Sequence, residues 1–486
     1  MTIAFNQIPV LIRTPGTYLE FDNSKATNGL VVTPQKILIM GQRLAAGSVL
    51  ANVPTRIYSG DQARLNFGNG SMLAAMCYAA KNANPSTEMW AIALDDNGSG
   101  VAATGTITLT GAPTANGTLF VYLGGVRIPV GVTVGQSLTV IAGNVVTAIN
   151  DVISMQATAG NVAGVITVTY RHKGVVGNSF DIRLNYGFNE TTPAGLAVAI
   201  AAMAGGTLNP DVSTAIAAAA SLWAQTWINP YNDTTNVGLL EAEMTARFGP
   251  MVQMEGHLFS AASGTVGTLT ALGAARNSPH HTILGIGKSP SLPYVAAAIV
   301  GAVEAGEPDP ARPRQTLPLL GVMAPLLQEA FSRTERDTLL QAGTSTFNVD
   351  DGGNVYIERL VTTYKTNTLG FTDISYLNIE TMRTIAYFRY SLRARVAQRF
   401  PRHKLANDGT EFSTGQAVVT PILLRMEILH LAREWVLAGL MEDFEQFARD
   451  LVVERNTIDL DRVDAIIPPN TVNQFRVFAG AVQFRL

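Results

Sequence analysis

The chain has 486 residues, 47% apolar and only 15% charged, with a formal net charge of −3 and a mean hydropathy of +0.18. That length predicts about three domains, and a charge fraction well below the roughly 25% of a typical soluble domain predicts a surface largely buried in a membrane or against other subunits. The slightly negative balance excludes a nucleic-acid binder acting by bulk electrostatics, and the apolar stretches 194–204 and 215–224 are too short and Ala/Gly-rich for the roughly 20 strongly apolar residues of a membrane span.

Buried self-association is the reading that remains. The first residues show no basic segment followed by an apolar one, so no signal peptide is expected. A single cysteine, Cys77, rules out an intrachain disulfide and fits a reducing compartment. Near the N-terminus, a Pro15-Gly16 turn is followed by a strand-like arm, residues 17–22, that sets Leu19 and Phe21 against polar neighbours, with Tyr18 beside them. Residues 36–41 form a continuous apolar run, as in a strand buried on both faces. A helix over 61–82 and a strand over 89–94 follow.

Between residues 97 and 150 there is one charged residue, Arg127. Strands are expected at 105–110, and at 119–123 and 126–130 around the hairpin signal Gly124-Gly125. A helix near Ala148 and strands at 165–170 and 180–184 complete a small β module, residues 105–186. The α/β rhythm then resumes: helix 214–224, strand 227–228, helix 239–248, strand 251–252, helix 269–276, strand 282–284, helix 294–303. Such alternation predicts a mainly parallel sheet, split in sequence by the β module. Pro308, Pro310, Pro313 and Pro318 mark an extended connector.

An α+β region over 331–470 begins with a strand at 356–361. One helix carries Met382, Ile385, Phe388, Leu392 and Val396. A second starts at Thr420-Pro421, an N-cap and N1 pair, and carries Leu424, Ile428, Leu431, Trp435 and Ala438. The last residues, 471–486, form a second arm, where alternation places Val482, Phe484 and Leu486 on one face. A strand at a chain end needs an edge to pair with, either in its own subunit or in a copy.

Catalytic patterns do not stand out. There is no G-x-S-x-G elbow, no H-E-x-x-H and no cysteine pair for zinc. Residues 284–289 hint at a phosphate loop, but Thr282 occupies the first glycine position and Pro290 follows at once. His280-His281 and Asp95-Asp96 lack partner motifs. No enzyme activity, catalytic residue, metal or cofactor is therefore expected. Seven basic residues lie between Arg383 and Lys404, including Arg389, Arg393, Arg395 and Arg399, with no acid from 382 to 406. They either pair with acids elsewhere, such as Glu442, Asp443 and Glu445, or face an acidic partner.

Several segments, in order, resemble the contractile tail sheath proteins of Mu-like bacteriophages: residues 8–9, 13–24, 36–41, 105–111, 227–231 and 380–384. The resemblance spans essentially the whole chain. It implies a virion tail protein, assembled in the host cytoplasm, that polymerises helically around a tail tube and contracts to drive the tube through the host envelope. Expected partners are further copies, the tail tube protein, and baseplate and tail terminator proteins, without membrane insertion or direct nucleic-acid contact. The implied fold is an N-terminal arm (1–22), a split subtilisin-like α/β domain (23–104 and 187–330), an inserted β-sandwich-like domain (105–186), an α+β inner domain (331–470) and a C-terminal arm (471–486). In the family the arms add strands to neighbours, which assigns Tyr18, Leu19, Phe21, Val482, Phe484 and Leu486 to subunit contacts. The inner placement of the C-terminal domain makes Arg383, Arg389, Arg393, Arg395 and Arg399 candidates for facing the tube. The insert is expected to project outward and to be dispensable for the mesh. The sheath of another contractile injection machine, or a different tail or baseplate component, is the alternative.

Overall fold

The computed structural model describes residues 13–19, 30, 32–413 and 415–485. Two compact units are present, one of residues 35–382 and one of residues 1–34 with 383–486. The larger is built on an eight-stranded sheet. Its first strand, β1 (Lys36–Gln42), is the continuous apolar run. Ile37 and Ile39 enter the core on one face, and Leu38 and Met40 enter the core on the other. That explains why the run does not alternate with polar residues.

After β2 (Thr55–Ile57) come α1 (Gly60–Phe67), α2 (Met72–Ala83) and β3 (Glu88–Leu94). The single helix expected over 61–82 is therefore two. Gly68 and Gly70 both take positive φ, which breaks the first helix, and Ser71 caps the second by accepting a hydrogen bond from the Ala74 amide.

The inserted module follows: β4 (Ala102–Gly111), β5 (Gly117–Leu123), β6 (Val126–Val132), α3 (Leu138–Asn150), β7 (Ala157–Val162), β8 (Val165–Lys173), β9 (Ile182–Leu184) and β10 (Leu196–Ala204). It forms two antiparallel sheets, ordered β10-β4-β8-β7 and β6-β5-β9. Gly124 and Gly125 both have positive φ, the backbone of a type I′ hairpin turn. The module runs past the expected end at residue 186, because β10 pairs with β4. Alanine-rich composition hid that strand.

The chain returns through α4 (Ser213–Ala218), β11 (Thr226–Ile228), α5 (Thr234–Phe248), β12 (His257–Ser263), α6 (Val266–Ala274), β13 (His281–Gly287), α7 (Pro293–Ala305), α8 (Arg333–Gln341), β14 (Thr344–Val349) and β15 (Val355–Arg359). The sheet order is β15-β14-β13-β12-β11-β1-β3-β2, parallel except at its two ends. Residues 251–252 lie in the turn after α5 rather than in a strand, with Met251 exposed; the strand is β12. β14 and β15 belong to this sheet, so it continues past the expected boundary at residue 330.

The insert and the α/β sheet share one continuous core, which contains Ile107, Val121 and Ile166 together with Ile37, Phe67 and Ala297. Buried polar contacts also join them. The Tyr170 and Tyr294 hydroxyls are 3.1 Å apart. His172 accepts the Met72 amide on Nε2 and so carries its proton on Nδ1, which it donates to Asp96 at 3.0 Å.

The smaller unit includes most of α9 (Ile379–Arg399), α10 (Pro421–Leu437) and α11 (Phe444–Asp450). The Thr420 side chain accepts the Leu423 amide and Pro421 opens α10, a pre-organised helix start. Phe388, Trp435 and Phe447 stack edge to face and tilted in its core, and the Trp435 indole donates to Ser391.

Candidate interaction surfaces

The Tyr18 hydroxyl donates to the Thr14 carbonyl, four residues back. Tyr18 is 42% and Leu19 82% exposed, while Phe21 lies outside the described residues. At the other end, residues 472–485 contain no strand, and Val482 and Phe484 are 93% and 81% exposed. Leu486 lies outside the described residues. The exposed set continues upstream through Phe475, Val477 and Phe478. Phe475 and Val477 carry the same spacing of two as Val482 and Phe484.

The arginine-rich helix divides by burial. Arg395 is 5% exposed. It donates to Glu427 at 2.9 Å and to Glu434, both on α10. Arg399, half-buried, also lies 3.6 Å from Glu427. These partners are not the acids named from sequence; Glu427 and Glu434 are seven residues apart, which puts them two turns along one face of α10. Arg383 and Arg389 are half-buried, and Arg393 is exposed. Replacing Arg395 by Met should destabilise this unit by about 3 kcal/mol, because two partly buried carboxylates lose their counter-charge. Urea unfolding would measure it; a loss near zero would mean that solvent already compensates Glu427 and Glu434.

The structure brings together a hydroxyl and an imidazole that no sequence motif links. Ser260 Oγ lies 2.9 Å from His281 Nε2, and His281 Nδ1 lies 2.8 Å from Glu241 Oε1. Arg276 is 3.8 Å from the same carboxylate. These are the contacts of a hydrolase relay, on β12, β13 and α5. Ser260 and His281 are both fully buried, however, so no substrate carbonyl reaches the hydroxyl in this structure. The group ties two strands to a helix.

Burial pushes the His281 pKa down, against the pull of Glu241. Between that lowered value and the unfolded value of about 6.5 the unfolded chain binds the extra proton, so stability falls as pH drops through this window, by at most about 1.4 kcal/mol per pH unit. Thermal melts from pH 8 to pH 5 should show the decline, and His281→Gln should make it shallower. An unchanged slope in the variant would assign the acid sensitivity to other groups. Among the described residues, no group of three or more His, Cys, Asp or Glu could hold a metal ion, and no helix is long and apolar enough to cross a membrane.

In the single chain, Leu19 in one arm and Val482 and Phe484 in the other present apolar side chains to solvent. Residues 205–363 match the phage tail sheath protein central domain, and residues 372–485 the phage tail sheath C-terminal domain. Over 100% of both chains, the sequence is 41% identical to the Mu-like prophage FluMu tail sheath protein of Haemophilus influenzae. A crystal structure of a sheath tail protein from Listeria innocua is similar at 11% identity and a TM-score of 0.49, over 92% of this chain and 94% of that one. The contracted helical sheath of the anti-feeding prophage is similar at 11% identity and a TM-score of 0.48, over 98% and 99%. The chain belongs to the phage tail sheath family.

Proposed function

We propose that copies of this chain polymerise helically around a tail tube, and that contraction of the resulting sheath drives the tube through the host envelope for genome delivery. Full-length identity to a Mu-like tail sheath protein carries this reading. The role is structural and needs no cofactor. The split α/β domain is subtilisin-like in fold alone, since fold does not supply function. The two arms add strands to neighbouring subunits, where main-chain bonds tether and side chains set register. Head-to-tail contacts of this kind generate an open helix rather than a closed ring. The tail tube, baseplate and tail terminator proteins are the further partners, and assembly takes place in the host cytoplasm.

Negative-stain microscopy of the purified protein tests the reading: hollow ribbed tubes are expected, and discrete particles under all assembly conditions would refute it. The exposed side of the arginine-rich helix faces the tube in this scheme. Arg393 is the residue to reverse, because a change at Arg395 would first disturb its own bonds to Glu427 and Glu434. Arg393→Glu, with the fold checked by circular dichroism, should impair assembly on purified tubes at low salt. Sheaths of normal length on tubes would remove this contact.

A further inference from the structure

The edge strands of the larger unit are protected, with one exception. β2 has three residues and carries Arg56. β15 is covered by the connector, through Thr316 to Ile357, Ile357 to Leu317 and Leu319 to Val355 backbone bonds of 2.8–2.9 Å. β6 contains Arg127 and Pro129, and β9 has three residues including Arg183. At β7 the Asn150 side chain accepts the Ala159 amide and donates to the Ala159 carbonyl, blunting that edge from α3. Charges, prolines, short strands and side-chain caps are how soluble proteins prevent edge-to-edge pairing.

β10 has none of these. It pairs with β4 alone and forms the outer strand of its sheet. No charged residue occurs between Glu190 and Asp211. A register shift after Ala201 limits the regular stretch to Leu196–Ala201, paired with Gly111–Thr106. Within it Ala197, Ala199, Ile200 and Ala201 are exposed. A six-residue, charge-free and regular edge is a template for another strand. Resting on the sheath reading, we infer that the β10 edge is a lattice contact, covered in the polymer by an extended, uncharged segment of a second copy of this chain. A copy is the occupant because the edge carries no charge to recruit a charged partner, and in the proposed helical polymer each subunit's neighbours are further copies of this chain. The inserted module then takes part in assembly.

Amide hydrogen exchange read by mass spectrometry on peptides covering 196–204 tests this in the full-length protein, dispersed and as tubes. Exchange should slow at least tenfold in tubes of this protein alone. Unchanged exchange in well-formed tubes would overturn the inference while leaving the sheath function standing. Protection that appears only when other tail proteins are added would replace the second copy by a different partner. Failure to form tubes at all would remove both readings. As an independent check, Ala199→Lys should leave the melting temperature of dispersed protein unchanged but slow tube growth at least tenfold, with partial recovery at high salt, because the substitution blocks the edge through its charge and leaves the backbone groups in place. Normal growth of this variant would count against the contact.

Discussion

Deleting residues 482–486 is expected to leave a folded, soluble subunit that no longer forms tubes. Val482 and Phe484 are almost fully exposed in the single chain and contribute little to its core. By their spacing of two in the sequence, Val482, Phe484 and Leu486 would share one face of a docked strand. Docking them on a neighbour is worth very roughly 5 kcal/mol, before the cost of ordering a chain terminus. Four or five ladder bonds would add about 0.5–1.5 kcal/mol each. All of that is gained between subunits, so circular dichroism should be unchanged and light scattering should show no polymer. Tubes of normal appearance from the shortened chain would show that the arm is not a tether.

Excising the inserted module should have the opposite character, with the loss falling on the fold itself. Val101 and Thr207 pair with each other by two backbone bonds of 3.1–3.2 Å, so a short Gly-Ser bridge can join the cut ends without strain. Failure would therefore reflect the shared core rather than loop closure. Excision uncovers Tyr294, beside Tyr170, and Leu292, on which Gly124 packs. Asp96 loses His172 and the Lys173 amide. Each large apolar side chain uncovered costs about 1.5–3 kcal/mol, and several together are comparable to the roughly 5–15 kcal/mol of a whole domain. Loss of the near-ultraviolet signal and binding of a hydrophobic dye are expected. A native, tube-forming product would show that the module is an independent appendage, as its composition alone suggests.

The periodic pattern located β1, β3, β5, β6, β13 and α7, because each carries a continuous, alternating or helical apolar run bounded by turn residues. It failed at β10, where Ala at most positions leaves little contrast between faces, and at β12, where His257 and Ser260 interrupt a strand buried on both sides. Helix starts at Thr420-Pro421 were readable because capping is local chemistry. Partners were not: Arg395 finds Glu427 and Glu434 through the packing of two helices, and Ser260, His281 and Glu241 meet only when β12, β13 and α5 come together.

By itself the sequence determined the broad class, a low-charge α/β chain interrupted by a β module and ending in apolar arms, since composition and periodicity report burial without needing to know the neighbour. Only the tertiary structure decided that the module shares its core with the sheet, that Arg395 is buried while Arg393 is exposed, and that β10 alone among the edges of the larger unit is a long strand without a charge, proline or side-chain cap. Those properties depend on which elements lie side by side, and residues far apart in sequence acquire burial, partners or an open edge only from that arrangement.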